Sequence, residues 1–243
     1  MRIPRIYLPL HLEVNHSVEL NEHAFQHTVK VLRMKQDSKL VVFDGKGYEY
    51  SASLQQINKK NAFIKIDHII HSAAESKLSI HLGLGISKGD RMDFAIQKAV
   101  ELGVTQITPL FTEHCVVNLD EKRMTTRLMH WQGIIVSAAE QSGRTVLPLL
   151  NSAMTLNDWS KTIDQTCFVM DPLASKTLND IVPESSLITL VVGPEGGLSA
   201  KEIAELQKKK NFHAIKFGPR ILRTETAAVS AVTAIQLLWG DLL

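Results

Sequence analysis

Apolar positions along the chain keep two rhythms. Through residue 72 they recur in short alternating runs, the period of half-buried strands. Residues 5–8 (RIYL) open this stretch. Phe25, Val29 and Leu32 then fall at helical spacing within residues 21–32. Residues 39–54 hold two alternating runs around Asp44-Gly45 and Gly47, and residues 57–70 hold a second hairpin around Asn58 to Asn61. Strands this short and evenly spaced predict a small β-barrel or half-barrel. Residues 71–76 (HSAAES) are small and polar and read as a linker.

From residue 73 onward the rhythm alternates between strand and helix. Strand-like apolar runs occupy residues 78–86, 104–111, 146–150, 166–170, 187–192 and 213–217. Helical stretches separate or follow them at residues 91–103, about 123–142, 200–210 and 226–239, the first stopped by Gly103. This alternation predicts an α/β domain with a mostly parallel sheet over residues 73–243, behind a β-rich domain over residues 1–72.

Composition adds limits. The 243 residues are 44% hydrophobic and 21% charged, with net charge +2, which is too mild to announce nucleic acid unaided. Cys115 and Cys167 lie far apart and form no CxxC pair, so a reducing compartment is expected. The first residues lack the apolar core of a signal peptide, and no run reaches bilayer length; a cytoplasmic protein without membrane contact is expected. Glu113, His114 and Cys115 lack a second ligand pair at metal spacing, so no metal is expected. The tryptophans read as packing residues, the remaining histidines are scattered and need no role, and Lys208 to Lys210 read as a solvated helix end.

Two glycine-proline turns carry the candidate chemistry. At residues 191–202 (VVGPEGGLSAKE) a buried strand breaks into Gly193, Pro194, Glu195, Gly196 and Gly197, then resumes as a helix capped by Ser199 and Glu202. Residues 216–232 (KFGPRILRTETAAVSAV) repeat the plan with Gly218-Pro219 and a helix start at Thr224 to Thr226. Ligands of open parallel sheets bind at the carboxyl ends of strands, and glycine admits close approach to main chain. Neither turn is a Walker A loop or a dinucleotide fingerprint. Two such turns can enclose a flat, neutral group such as adenine. Taken singly, either is equally well a plain strand-to-helix turn. The apolar final helix is either a core helix or a subunit interface.

With these two motifs, and AAEQSGR at 138–144 as a third, the chain resembles the ribosomal RNA small subunit methyltransferase E family, the uracil-N3 methyltransferases of 16S rRNA in the SPOUT class. RMDFAIQKAVELGV at 91–104 and HTVKVLR in the N-terminal stretch extend the resemblance over nearly the whole chain. The resemblance implies a trefoil-knotted α/β domain, a PUA-like N-terminal barrel, a homodimer, and S-adenosyl-L-methionine held by three loops. Those loops map onto Met170, Asp171 and Pro172; onto Val192, Gly193, Glu195, Gly196 and Gly197; and onto Phe217, Gly218, Ile221, Leu222 and Thr226. It also lifts Glu140, Gln141 and Arg144 above a solvated helix end.

Uracil N3 must lose a proton before it attacks a methyl group. The candidates for that base are Glu140, Glu195 and Glu225, with Arg144 or Arg223 offsetting charge on the uracil, and solvent as an alternative acceptor. RNA contact is expected from Arg2, Arg5, Lys30, Arg33 and Lys35, and from Lys88, Arg91, Lys98, Arg123 and Arg127. Three other functions stay open: an RNA-binding protein that keeps the fold without catalysis, a SPOUT methyltransferase acting on another RNA, and a nucleotide enzyme such as a dehydrogenase.

Overall fold

The computed structural model describes residues 3–71, 74–115 and 120–243. The chain forms two compact units, and the division does not follow the sequence linearly: the first runs to Glu75 and takes in Ala139–Leu147, and the second comprises Ser76–Ala138 and Pro148–Leu243.

In the first unit, β1 (Arg5–Tyr7), β2 (Ser17–Glu19), β3 (Lys39–Phe43), β4 (Glu49–Ile57) and β5 (Ala62–Ile70) form one sheet in the order β1-β3-β4-β5-β2. The two predicted hairpins are present, β3 with β4 and β4 with β5, both antiparallel. Register shifts at Ser51/Ala52 and Leu54/Gln56 bend β4. Among the described residues no ladder joins β1 to β2, so hydrogen bonding leaves a half-barrel. Its core gathers Ile6, Leu40, Val42, Leu54, Ile64 and Ile66 against Phe25. The predicted helix starts as α1 (Glu22–Phe25), capped by the Asn21 side chain, and widens into a π-helical turn over Gln26–Val31.

Segment Ala139–Leu147 belongs to this unit through main-chain bonds. Leu147 N–H donates to the Gly45 carbonyl (3.1 Å) and Gly47 N–H to the Thr145 carbonyl (3.1 Å). Glu75, in the stretch read as a linker, accepts the N–H groups of Thr145 and Val146 (2.9 Å each) on one oxygen. Its other oxygen accepts Arg144 Nη2 at 2.8 Å.

The second unit is a parallel sheet with helices. Its strands are β6 (Ser79–Gly85), β7 (Gln106–Phe111), β8 (Leu149–Leu150), β9 (Met154–Thr155), β10 (Cys167–Met170), β11 (Leu187–Val192) and β12 (Phe212–Ile215). The order is β12-β10-β11-β6-β7-β8, with β9 also on β7, and every pair is parallel. The helices are α2 (Asp90–Glu101), α3 (Glu121–Ser142), α4 (Leu156–Ser160), α5 (Ala200–Gln207) and α6 (Thr224–Trp239). The run read as a strand at 146–150 joins the parallel sheet only at Leu149–Leu150; Val146 instead forms an isolated antiparallel bridge with Lys46, and Pro148 between them has no N–H to offer a ladder. Helix α5 stops at Gln207, and Lys209 turns inward to the Ser160 carbonyl and hydroxyl instead of facing solvent.

Helix α6 buries one face, Thr224, Ala227, Ala228, Ala231, Val232, Ile235 and Gln236, and packs against α2 and β11. Gln236 is fully buried and donates to the Leu102 carbonyl (3.0 Å) while accepting the Ser76 hydroxyl (3.1 Å). On the sheet, His81 of β6 is 8% exposed. Its Nε2 lies 2.8 Å from the Thr108 hydroxyl and 3.4 Å from Trp159 Nε1, a donor only, so Nε2 is the unprotonated nitrogen. Burial pushes this histidine down to about 4.

Candidate functional site

The carboxyl ends of β10, β11 and β12 open into one cavity of about 300 Å³. Met170, Asp171 and Pro172 line it from the end of β10; Val192, Gly193, Glu195, Gly196 and Gly197 line it from β11; Phe217, Ile221 and Leu222 line it from the loop after β12. The structure thus brings together most of the residues predicted for the donor loops. Gly218 and Thr226 do not line this cavity; Thr226 is exposed on α6. Pro194, Ile215, Arg220, Thr224 and Ala227 complete the wall.

Main chain dominates the β11 loop. Gly197 N–H closes a turn onto the Pro194 carbonyl at 2.8 Å. A Cβ on Gly193 would meet the main chain of Gly197 and Leu198 at 2.8 Å, so only glycine permits this fold-back. A Cβ on Gly85, at the end of β6, would fall 2.4 Å from Pro194 N. His114 Nδ1 lies 2.9 Å from the Gly196 carbonyl, and Glu113 N–H donates to Glu202. Among the described residues no group of three His, Cys, Asp or Glu could hold a metal ion.

The three candidate carboxylates have different surroundings. Glu140 lies in the first unit, where it accepts Tyr7 N–H at 2.9 Å. Burial raises its proton affinity, and the Tyr7 N–H, His27, His23 and Arg5 only partly offset this. Glu195 accepts Lys88 N–H at 2.9 Å and lies 3.3 Å from Arg91 Nη1. Burial alone would raise Glu195, but its own N–H, Lys88 N–H, Arg91 and the Ser87 hydroxyl together hold it below the usual carboxylate range. Glu225, in the first turn of α6 between the cavity residues Thr224 and Ala227, has a buried Oε2 with no hydrogen-bond partner among the described residues.

Two arginines have structural work. Arg144 has a side chain 3% exposed, bound by Glu75, so its guanidinium is not open to a uracil. Arg5 has a side chain 11% exposed, paired with Glu49 and donating to the Arg144 carbonyl, which removes it from a phosphate-binding surface. Arg223 is exposed at the N-cap of α6.

Of the other basic residues, Lys30, Arg33 and Lys35 are exposed and form no ion pair among the described residues. Lys98 pairs with Glu101 and Arg123 with Asp120. Arg2 lies outside the described residues. Lys59 and Lys60, which sequence reasoning passed over as hairpin tip, share a second cavity of about 650 Å³ with Lys30 and Phe25. The signal was the pair of adjacent lysines in a tight turn.

Residues 74–236 match the RNA methyltransferase domain family, and residues 20–67 match the RNA methyltransferase PUA domain family. The chain is 39% identical over 245 residues to ribosomal RNA small subunit methyltransferase E of Buchnera aphidicola subsp. Schizaphis graminum, covering 99% of this chain and 98% of that one. The chain belongs to the ribosomal RNA small subunit methyltransferase E family. The protein of that name from Rickettsia conorii is 32% identical, over 98% and 97% of the two chains. The Neisseria gonorrhoeae methyltransferase E, solved bound to S-adenosyl methionine, superposes with a TM-score of 0.93 at 39% identity over 100% of both chains. A Legionella pneumophila protein solved with the bound cofactor SAM reaches 0.96 at 39% identity, again over 100% of both chains.

Proposed function

We propose that this protein transfers a methyl group from S-adenosylmethionine to N3 of a uridine in the 16S rRNA of the small ribosomal subunit. The observation that carries the reading is the convergence of three loops, at adjacent strand ends, on one cavity in a chain of this family.

The residues fit that donor. Ile215, Phe217, Ile221 and Leu222 give an apolar wall for adenine, and the fold-back at Gly193 to Gly197 offers main-chain groups for its edge. Asp171, only 9% exposed, puts negative charge beside a cationic group. When bound, the donor supplies an electrophilic methyl on a sulfonium sulfur that keeps the C–S electron pair.

The protein's own part is to orient the uracil and take the N3 proton. Glu225 is the carboxylate best suited to do so, because its buried oxygen lacks a donor that a substrate N–H would supply. Arg223, exposed one residue before α6, would offset charge left on the uracil oxygens.

RNA is held on this reading by Lys30, Arg33, Lys35, Lys59 and Lys60 on the first unit, with Arg91, Lys98 and Arg123 on the second. The knot expected of this class is supported by the sheet order, in which β12 returns to the edge beside β10. Homodimerisation is supported by Leu237 and Leu238 of α6, which remain 41% and 47% exposed, and by Ile221 at 87%. No helix among the described residues is long and apolar enough to cross a membrane, and a cytoplasmic enzyme is the matching proposal.

The test is mass mapping of modified nucleosides in 16S rRNA from cells with and without the protein. Loss of one N3-methyluridine is expected. An unchanged 16S map would refute the assignment.

A further inference from the structure

The β11 loop is held by a neighbouring turn that no donor-site motif includes. That turn, residues 86–89, links β6 to α2. Glu195 reaches across to it, accepting Lys88 N–H at 2.9 Å and lying 3.3 Å from Arg91 Nη1. The turn is itself fixed. Ser87 is fully buried with its hydroxyl on the Gly85 carbonyl, and Ile86 N–H donates to Leu110 of β7. Gly85 packs its bare main chain against Pro194.

Helix α2 also lacks something at its start. Its N-cap is Gly89, with φ 58° and no side chain to accept a hydrogen bond. A carboxylate beside the first turn of a helix of this length is favourable to the helix dipole, and Glu195 supplies one from another loop.

We propose that Glu195 is a positioning residue: it braces the donor loop against the β6–α2 turn through Lys88 N–H and Arg91, and takes no proton in the reaction. This rests on the donor reading given above. One bond of the brace is main-chain and one is ionic, so the two can be separated. Glu195→Gln keeps an oxygen for Lys88 N–H and loses the ion pair. Arg91→Ala removes the ion pair together with a basic side chain assigned to RNA, so it is judged on donor affinity and exchange alone. Glu195→Ala removes both.

The experiment measures donor affinity by calorimetry, donor KM and kcat with pH, and amide exchange of residues 195–197 in the ligand-free protein. A hydrogen bond to a charged group is worth about tenfold or more in affinity. Glu195→Ala should weaken S-adenosylmethionine by about tenfold, and the other two variants by about threefold. Donor KM should rise more than kcat falls, and the pH profile of transfer should keep its wild-type shape. Exchange at 195–197 should quicken most in Glu195→Ala. A Glu195→Gln enzyme whose kcat collapses at saturating donor with an altered pH profile would make Glu195 the base and overturn the brace. Unchanged exchange in Glu195→Ala would overturn it too. If the wild type bound no donor, the functional reading would fail, while exchange would still decide the brace.

Discussion

His81 allows a stability prediction with a definite sign. Its ring is buried in the second unit, and its Nε2 accepts rather than donates. Desolvation lowers it from 6.5 to about 4, so between those values the unfolded chain binds a proton that the folded chain refuses. Stability from this residue is therefore complete above about pH 6.5 and is lost as pH falls through that window. The full difference is 6.5 minus about 4 at roughly 1.4 kcal/mol per decade, or about 3 kcal/mol. By pH 5 about 2 kcal/mol of it should be gone. The three tryptophans, Trp131, Trp159 and Trp239, all lie in the second unit, so urea unfolding followed by tryptophan fluorescence reads that unit alone. His81→Gln keeps an acceptor for Trp159 but cannot titrate. Between pH 7.5 and 5 the wild type should lose about 2 kcal/mol more than His81→Gln. His213, also lowered by burial, and Glu140, raised by burial, are common to both proteins and cancel in the difference. Parallel losses in the two proteins would refute the reasoning.

Other expectations follow from single contacts. Gly85→Ala places a Cβ 2.4 Å from Pro194 N, and should cost about 1–3 kcal/mol of stability and weaken donor binding by calorimetry. Gln236→Leu strips the Leu102 carbonyl of its partner and should cost about 1–3 kcal/mol, seen as a lower Tm. Glu75→Gln, which removes the charge that accepts Thr145 and Val146 N–H and pairs with Arg144, should speed amide exchange at Thr145 and Val146; unchanged exchange there would contradict the contacts. RNA binding through Lys30, Arg33, Lys35, Lys59 and Lys60 should fall with salt at a log–log slope of about −3.5, and alanine at Lys30, Lys59 and Lys60 should flatten it by about 2.

Much of the second unit was legible because its longer strands are dense apolar runs and several helices carry a stop or a cap. Gly103, with φ 87°, ends α2, and Ser199 with Glu202 starts α5 by a capping box. The donor loops were legible for a related reason: glycine and proline at strand ends restrict the main chain, whatever packs around it. What the sequence hid is long-range. β2, β9 and α4 are too short to show a period. Arg5 reads as an RNA contact and Arg144 as a partner for the uracil until Glu49 and Glu75, 44 and 69 positions away in sequence, are seen beside them. The Lys88 N–H that Glu195 accepts is a main-chain group, which no residue pattern announces.

The return of Ala139–Leu147 to the first unit has a consequence for synthesis. A nascent chain leaves the ribosome from its N-terminus, and domains ordinarily fold in that order. Here the leading half-barrel cannot close its Gly45 and Gly47 main-chain bonds, or seat Glu75, until residue 147 has emerged. By then β6, α2, β7 and all of α3 are already outside the tunnel. Its maturation is therefore tied to the domain made after it, and a fragment cut at the apparent linker would lack one side of its own scaffold.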